Sequence, residues 1–372
     1  MAREAKFGFT AGPVMPVRLP GPSGDGLRYG EVIADCRFGQ SLGFDSVWML
    51  EHHFTDYYPS PSPLLFLSHI AAACPGLGLG TAVIVLPWYE PVRFAEEVAM
   101  LSLLCEGDLH LGIGRGVARI EYEARDIDME YSRELFQEAY ELAAAALTGG
   151  PFRFAGKHFT VPREVTLRPI ARRERIHFYG ACNSPGTAER MAGLGLPILC
   201  TSISPVEQNA AAIAAWKEKV TAAGGEADAN VPLWVHCFIA DSEAEAHDQA
   251  LEHLSAFYRE LVKHYETHLN PWKGVKTYEQ NVKVMDRMES LADPANRPPV
   301  IEHQLVGTPD VVAERVQRYL DIGVTHIVIN TAQPDRSEHS RNDCLRHFSE
   351  HVAPRFAPSF GAVANREASV GG

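Results

Sequence analysis

The 372-residue chain is 46% hydrophobic and carries 34 basic against 47 acidic residues, a net charge of −13. That is enough chain for one large domain or two ordinary ones, and an acidic balance without any sustained lysine or arginine block argues against nucleic acid or an anionic membrane as a partner. No run reaches membrane-spanning length, the opening MAREAKFGF lacks the apolar stretch of a secretion signal, and seven cysteines without paired spacing read as reduced thiols, so a cytoplasmic protein is expected.

Short apolar runs follow one another along the chain: KFGFTA (6–11), SVWMLEHH (46–53), LGLGTAVIVLP (77–87), LHLGIGRG (109–116), IHFYGAC (176–182), PILCTS (197–202), LWVHCFIA (233–240) and THIVINTA (325–332). They are rich in β-branched and aromatic residues and lack strict alternation, as parallel strands buried on both faces do. Each is followed by glycine or polar residues and then by a helical pattern. Eight such units predict an α/β fold with a single (β/α)8 TIM-like barrel rather than an open doubly wound sheet, which would carry a glycine fingerprint after its first strand. Helix starts are expected at Ser204-Pro205 with Glu207 and at Thr308-Pro309-Asp310. The interval between the seventh and eighth runs is too long for a barrel loop, and residues 264–305 are expected to be an insertion that covers one mouth and moves. The domain is expected to span 1–356, with a flexible tail over 357–372.

In a barrel the active-site residues lie at the C-terminal ends of the strands. Glu51, His52 and His53 end the second run, Arg115 the fourth, and Asn183 and Ser184 follow the fifth. Imidazole accepts or donates a proton near neutral pH, so His52 is a candidate catalytic group, with His53 orienting or structural. A zinc site would need further ligands, and the adjacent pair has neither HExxH spacing nor a visible partner set. In GIGRG (112–116) the glycines allow close backbone approach while Arg115 offers a donor fork to an anion. Ser184 and Thr187 sit at a helix start, where hydroxyls and free amides hold phosphate, and Arg133 adds a second positive group. The structural alternative is that Arg133 pairs with Glu130 or Glu134, Ser184 only caps a helix, Arg115 closes a rim ion pair, and Glu51 pairs with a rim arginine. Gly80, Thr81 and Ala82, with Trp88 and Tyr89 beyond, would let a planar ligand lie against backbone.

With these residues in order, the chain resembles the bacterial luciferase-like flavin-dependent monooxygenases, the luciferase alpha subunit among them. GFDSVWMLEHHFT, GTAVIVLPWYEPVRFAEE, LHLGIGRG, SRELF, NSPGTAERMAGLGLP and VGTPDVVAERV carry the resemblance through about residue 356. It implies a single barrel using reduced FMN (FMNH2) and O2 to oxygenate a small, mostly apolar organic substrate or an aldehyde or ketone through a flavin C4a-peroxy intermediate. It also implies a separate NAD(P)H:flavin reductase and a homodimer. The flavin phosphate would be held by Arg115, Arg133, Ser184 and Thr187, proton transfer would fall to His52 with His53 beside it, and a non-proline cis peptide at Ala82 and Val83 would lie beneath the ring. Gly114 stands where luciferase has a reactive thiol, with Cys105 the nearest cysteine in sequence, which argues against light emission. The alternatives are a deazaflavin F420-dependent hydride-transfer enzyme on the same fold and a non-catalytic flavin-binding partner subunit.

Overall fold

The computed structural model describes residues 4–14, 22–279, 288–291, 293–296, 298–358 and 360. All eight expected runs form strands: β1 (Lys6–Thr10), β2 (Ser46–Met49), β3 (Gly78–Val85), β4 (Leu109–Gly114), β7 (Ile176–Ala181), β8 (Ile198–Thr201), β9 (Pro232–Ile239) and β11 (His326–Asn330). Their order is β9-β11-β1-β2-β3-β4-β7-β8, and β8 pairs with β9 to close the barrel. Every one of these pairings is parallel. Among the described residues no helix is long and apolar enough to cross a membrane.

Side chains along a strand point alternately to opposite faces, and the core divides accordingly. Phe7, Phe9, Val47, Met49, Leu109, Leu111, Ile113, Val235 and Ile327 face outward into one large cluster with the surrounding helices. Trp48, Tyr179, Leu199, Trp234, Phe238 and Val328 form a second cluster inside the barrel. Trp48 fills the barrel because two strands give way to it. A Cβ at Gly80 would lie 2.3 Å from its ring and one at Gly8 2.8 Å from its Nε1. The Gly80 gap, expected to admit a planar ligand, is therefore occupied by Trp48, and Thr81 is turned away, donating to the Gly112 carbonyl at 2.8 Å.

Two strand features escaped the sequence pattern. β5 (Pro151–Ala155) and β6 (Thr160–Thr166) form an antiparallel hairpin that is mostly exposed and so lacks an apolar run. β10 (Leu305–Gly307) has three residues and pairs with the C-terminal part of β9, above the part that pairs with β11. The helix expected to start at Ser204 begins one position later, with Pro205 at its N-cap and no side-chain capping bond. It spans α7 (Val206–Ala222). Thr308 does precede the helix Pro309–Asp321, also without a side-chain bond. Between β9 and β10 run α8 (Glu243–His264) and short turns at Thr267–Leu269 and Lys276–Tyr278. Residues 280–287, 292 and 297 of the expected insertion and all of the expected tail except 357, 358 and 360 lie outside the described residues.

The barrel interior also holds histidines. His326 meets Ser46 Oγ at 3.0 Å, His110 meets the Tyr179 hydroxyl at 3.3 Å and stacks on Trp48, and His236 meets Asn330 and Gln333 at 3.2 and 3.1 Å. Burial pushes His236 and His326 down to about 3 and His110 well below the ordinary imidazole value. Above pH 6.5 both the folded and unfolded forms of these rings are neutral and contribute nothing. As pH falls below 6.5 the unfolded chain takes up protons that the fold refuses, so stability falls until the folded values are reached. Each such ring should cost about 1.4 kcal/mol per pH unit in that window. Urea unfolding at pH 7, 6 and 5 should show the fall, and His326→Gln should reduce the slope by about one proton. An unchanged slope in that variant would rule His326 out as a source.

Candidate functional site

β2 ends at Met49, and the next residues cross the C-terminal mouth of the barrel. Glu51 is buried there and, among the described residues, pairs with no arginine. Its carboxylate accepts from the Val85 N–H at 2.8 Å and the Tyr89 hydroxyl at 3.0 Å, and meets His53 Nε2 at 3.1 Å. Burial raises its pKa against the pull of those three partners. The rim arginine is instead Arg125, which lies 2.9 Å from His53 Nδ1 and over the Trp88 ring at 4.7 Å. Tyr89 thus serves the carboxylate and Trp88 packs edge-on against His53, at 5.2 Å between ring centroids.

His52 turns to the other side of the same loop. Its ring centroid lies 4.7 Å from Tyr57 and 4.7 Å from His264, the last residue of α8. Its Nδ1 is 3.7 Å from Glu121 Oε1, and His264 Nε2 is 3.5 Å from that oxygen. Glu121 lies in the short helix α4 (Arg119–Glu123) and is fixed by the His53 backbone N–H, which donates to it at 2.7 Å. Burial, and after it the neighbouring His53, push His52 down to about 3. For His264 the causes are burial and then His52, and the value is again about 3. Both rings are neutral at physiological pH. Glu121 and His264 carry no sequence signal that joins them to His52, since both sit in amphipathic helical stretches far along the chain.

The Ala82–Val83 peptide is cis, the geometry that the resemblance implies, and both residues remain partly exposed. The register of β3 against β4 shifts between Thr81 and Ile84 at this point. A Cβ at Gly114 would lie 2.7 Å from Val83 Cγ2, so these two positions touch. Cys105 ends the helix before β4, and its thiol meets the Gly107 carbonyl at 3.4 Å, at the opposite end of the strand from Gly114.

Arg115, just past β4, donates to Ser132 Oγ at 3.3 Å and lies 3.8 Å from the Tyr278 ring centroid. Among the described residues no carboxylate forms an ion pair with it. Arg133, on α5 (Ser132–Ala146), donates to the Thr277 carbonyl at 3.0 Å rather than to Glu130 or Glu134. Ser184 caps α6 (Pro185–Gly193), accepting from the Thr187 N–H at 3.4 Å, and its hydroxyl meets Thr187 Oγ1 at 3.1 Å. Arg190, one turn on, donates to Thr187 Oγ1 at 3.0 Å. Burial lowers the Arg115 pKa, and the charges of Arg133 and Arg190 act on it in the same direction. Three guanidinium groups that oppose one another's charge, two hydroxyls and a helix N-terminus make a cradle that a phosphate dianion would stabilise. The sequence pointed to four of these residues and missed Arg190, whose i+3 spacing from Thr187 was its available signal. The segment after α8 closes over this ground: Trp272 Nε1 donates to Val117 O at 2.8 Å, and the Tyr278 hydroxyl to Gly116 O at 2.7 Å.

A cavity of about 230 Å³ lined by Tyr140, Arg173, His177 and Pro197 lies elsewhere, toward the N-terminal ends of β7 and β8. In barrels of this kind that end serves stability rather than chemistry.

The family model described as luciferase-like monooxygenase matches residues 10–326. The alkanal monooxygenase alpha chain of Aliivibrio fischeri is 24% identical over 327 residues, 84% of this chain and 89% of that one. That of Photorhabdus luminescens is 31% identical over 182 residues, 49% of this chain and 50% of that one. The uncharacterized protein y4vJ of Sinorhizobium fredii is 28% identical over 217 residues, 57% of this chain. The chain thus spans 61% and 50% of the length of the Sinorhizobium and Photorhabdus relatives. Among solved structures, the FMN complex of the oxygenating constituent of 3,6-diketocamphane monooxygenase from Pseudomonas putida has a TM-score of 0.74 at 18% identity, covering 95% of this chain and 98% of that one. An F420-dependent secondary alcohol dehydrogenase has 0.72 at 16%, covering 94% and 98%. At these identities both show a shared fold, and the fold does not choose between their cofactors.

The Glu51 carboxylate yields a direct test. Glu51→Ala leaves the Val85 N–H, the Tyr89 hydroxyl and His53 without their acceptor, and should lower the free energy of unfolding by about 3 kcal/mol or more. Tyr89→Phe removes one donor and should cost about 1 kcal/mol. Equal losses in chemical denaturation would show that the carboxylate does not tie the three together.

Proposed function

The chain belongs to the luciferase-like monooxygenase family, and on that premise we propose that it is the oxygenase of a two-component flavin system. It takes reduced FMN from a separate NAD(P)H:flavin reductase and uses O2 to oxygenate a small, mostly apolar organic molecule or an aldehyde or ketone. The observation that carries this reading is the cradle of Arg115, Arg133 and Arg190 with the Ser184 and Thr187 hydroxyls. It shares the barrel mouth with His52 and the cis Ala82–Val83 peptide.

Bound reduced FMN would supply the two electrons by which one atom of O2 enters the substrate and the other leaves as water. The protein's part is binding, orientation and water exclusion. Arg115 offers a planar fork to the phosphate, Arg133 and Arg190 add charge, and the hydroxyls and α6 amides take the remaining oxygens. The small backbone at Ala82 and Val83 gives the flat ring a surface. His52 accepts or returns a proton at Nδ1, next to the Glu121 carboxylate that steadies the charged ring. His53 is a positioning residue held between Glu51 and Arg125. Of the expected cover, the described residues 264–279 lie over this ground, and Tyr278 must leave the Arg115 face if a phosphate is to approach it from that side.

Arg115→Ala should weaken FMN binding about 10- to 100-fold in fluorescence titration, the loss of charge-assisted bonds worth about 1.5–3 kcal/mol. His52→Ala should bind FMN within a few-fold of the parent and slow substrate oxygenation when reduced FMN is mixed rapidly with O2. Equal effects of both changes on both steps would refute this division of roles. Tight binding of F420 with no preference for FMN would overturn the flavin reading itself.

The proposed homodimer has a candidate surface. Leu65 on α2 (Pro63–Ala73) and Met100, Leu103 and Leu104 on α3 (Pro91–Leu104) are exposed on neighbouring helices. Leu104→Asp should convert a dimer to a folded monomer in size-exclusion chromatography with light scattering. A parent chain that runs as a monomer would remove the proposal.

A further inference from the structure

The sequence shows no ligand set around the adjacent histidines, but the fold assembles one. One ligand atom from each of His52, Glu121 and His264 lies within 4.8 Å of the other two. The two contacts to Glu121 Oε1, 3.7 Å from His52 and 3.5 Å from His264, fall short of hydrogen bonding. Among the described residues neither His52 Nδ1 nor His264 Nε2 has any other hydrogen-bond partner, although both atoms are buried. Leaving two such nitrogens unsatisfied is costly, at about 1–3 kcal/mol each, so a group that engages both has a clear advantage.

We propose that His52, Glu121 and His264 form a binding site for a first-row divalent metal ion of the Zn2+ type. Two imidazoles and one carboxylate are a ligand set that binds such ions while leaving a coordination position for water. Metal–ligand bonds of about 2.0–2.1 Å in a tetrahedral site place ligand atoms roughly 3.3 Å apart. The contacts to Glu121 already approach that spacing, and drawing the two imidazoles together takes shifts of about 1 Å or less per ring. The outer partners are also present. His264 Nδ1 meets Thr55 Oγ1 at 2.7 Å, and a ring that donates there turns the Nε2 lone pair toward Glu121. Glu121 is itself held by the His53 N–H at 2.7 Å. The His52 side chain is 13% exposed although its Nδ1 is buried, so an ion must reach the site by a small movement of that ring.

The site does not depend on the flavin reading, because it is defined by ligands and tested by binding. If both hold, they compete: a metal ion on His52 Nδ1 takes the lone pair that would accept a proton. The ion would then be a reversible inhibitor and would tie the end of α8 to the β2 loop.

The test is calorimetric titration of chelator-treated protein with Zn2+ alone. One equivalent should bind the parent, and affinity should fall more than about tenfold in His264→Gln and in Glu121→Gln. Thr55→Val, which touches no metal ligand atom directly, should weaken binding about 10- to 100-fold, the usual effect of losing an outer partner. His339→Ala is the control: this exposed ring pairs with Asp343 at 3.0 Å and could bind Zn2+ adventitiously, and its loss should leave the stoichiometry unchanged. Circular dichroism of each variant without metal checks folding, and Zn2+ should raise the parent's melting temperature but not that of His264→Gln. No stoichiometric binding by the parent, or binding that survives in folded His264→Gln and Glu121→Gln and disappears in His339→Ala, would overturn the proposal.

Discussion

Glu51 is a carboxylate with almost no contact with water, and the mouth of the barrel is organised by the need to satisfy it. Its oxygens reach the end of β3 through the Val85 N–H, the first turn beyond it through Tyr89, and its own loop through His53. Removing any of these leaves a buried charge short of partners, which is far more destabilising than the same loss at a surface. The loop that follows therefore has little freedom. His53 is held by Glu51 at Nε2 and by Arg125, whose Nη2 lies 2.9 and 3.0 Å from its two ring nitrogens, and with it fixed, His52 is turned toward Glu121 and the end of α8. The adjacent histidines at the end of a buried strand differ in their surroundings: His53 is tied to Glu51 and Arg125, whereas His52 Nδ1 has no hydrogen-bond partner among the described residues.

The same mouth separates two kinds of electrostatics. On the side of β4 and α6, positive groups gather with hydroxyls, and among the described residues no carboxylate forms an ion pair with Arg115, Arg133 or Arg190, a balance suited to a dianion. On the side of β2 and α8, neutral imidazoles face an acid. The segment after α8 joins the two regions, since His264 contributes to one and Tyr278 covers the other.

The barrel was legible because its strands are buried on both faces and so appear as apolar runs, whereas β5 and β6 are exposed and β10 is three residues long. Positions next to a strand end were legible too: Arg115, Ser184 and the histidines follow strands directly, and barrel geometry brings strand ends together. Glu121 and His264 were not. The bond from the His53 N–H to Glu121 spans 68 residues, and that from Thr55 to His264 spans 209. An acid or histidine in an amphipathic helix looks the same whether it faces water or an active-site mouth. Gly80 shows the reverse error, a space visible in the sequence whose occupant, Trp48, comes from the neighbouring strand.

The contact between Gly114 and Val83 bears on the evolutionary routes open to this site. A β-carbon at 114 would press on a stiff, β-branched side chain, with Ala181 only 3.6 Å away on another flank. A larger residue at 114 alone should carry the usual overpacking penalty of about 1–3 kcal/mol. After Val83 has become alanine, a β-carbon at 114 is left with ordinary contacts to Ala181 Cβ at 3.6 Å and to the Cβ of residue 83 at 3.7 Å. The two positions are thus epistatic, and the order of substitution matters: a lineage that keeps valine at 83 carries that penalty for a thiol or any other side chain at 114, and one that has already trimmed 83 does not.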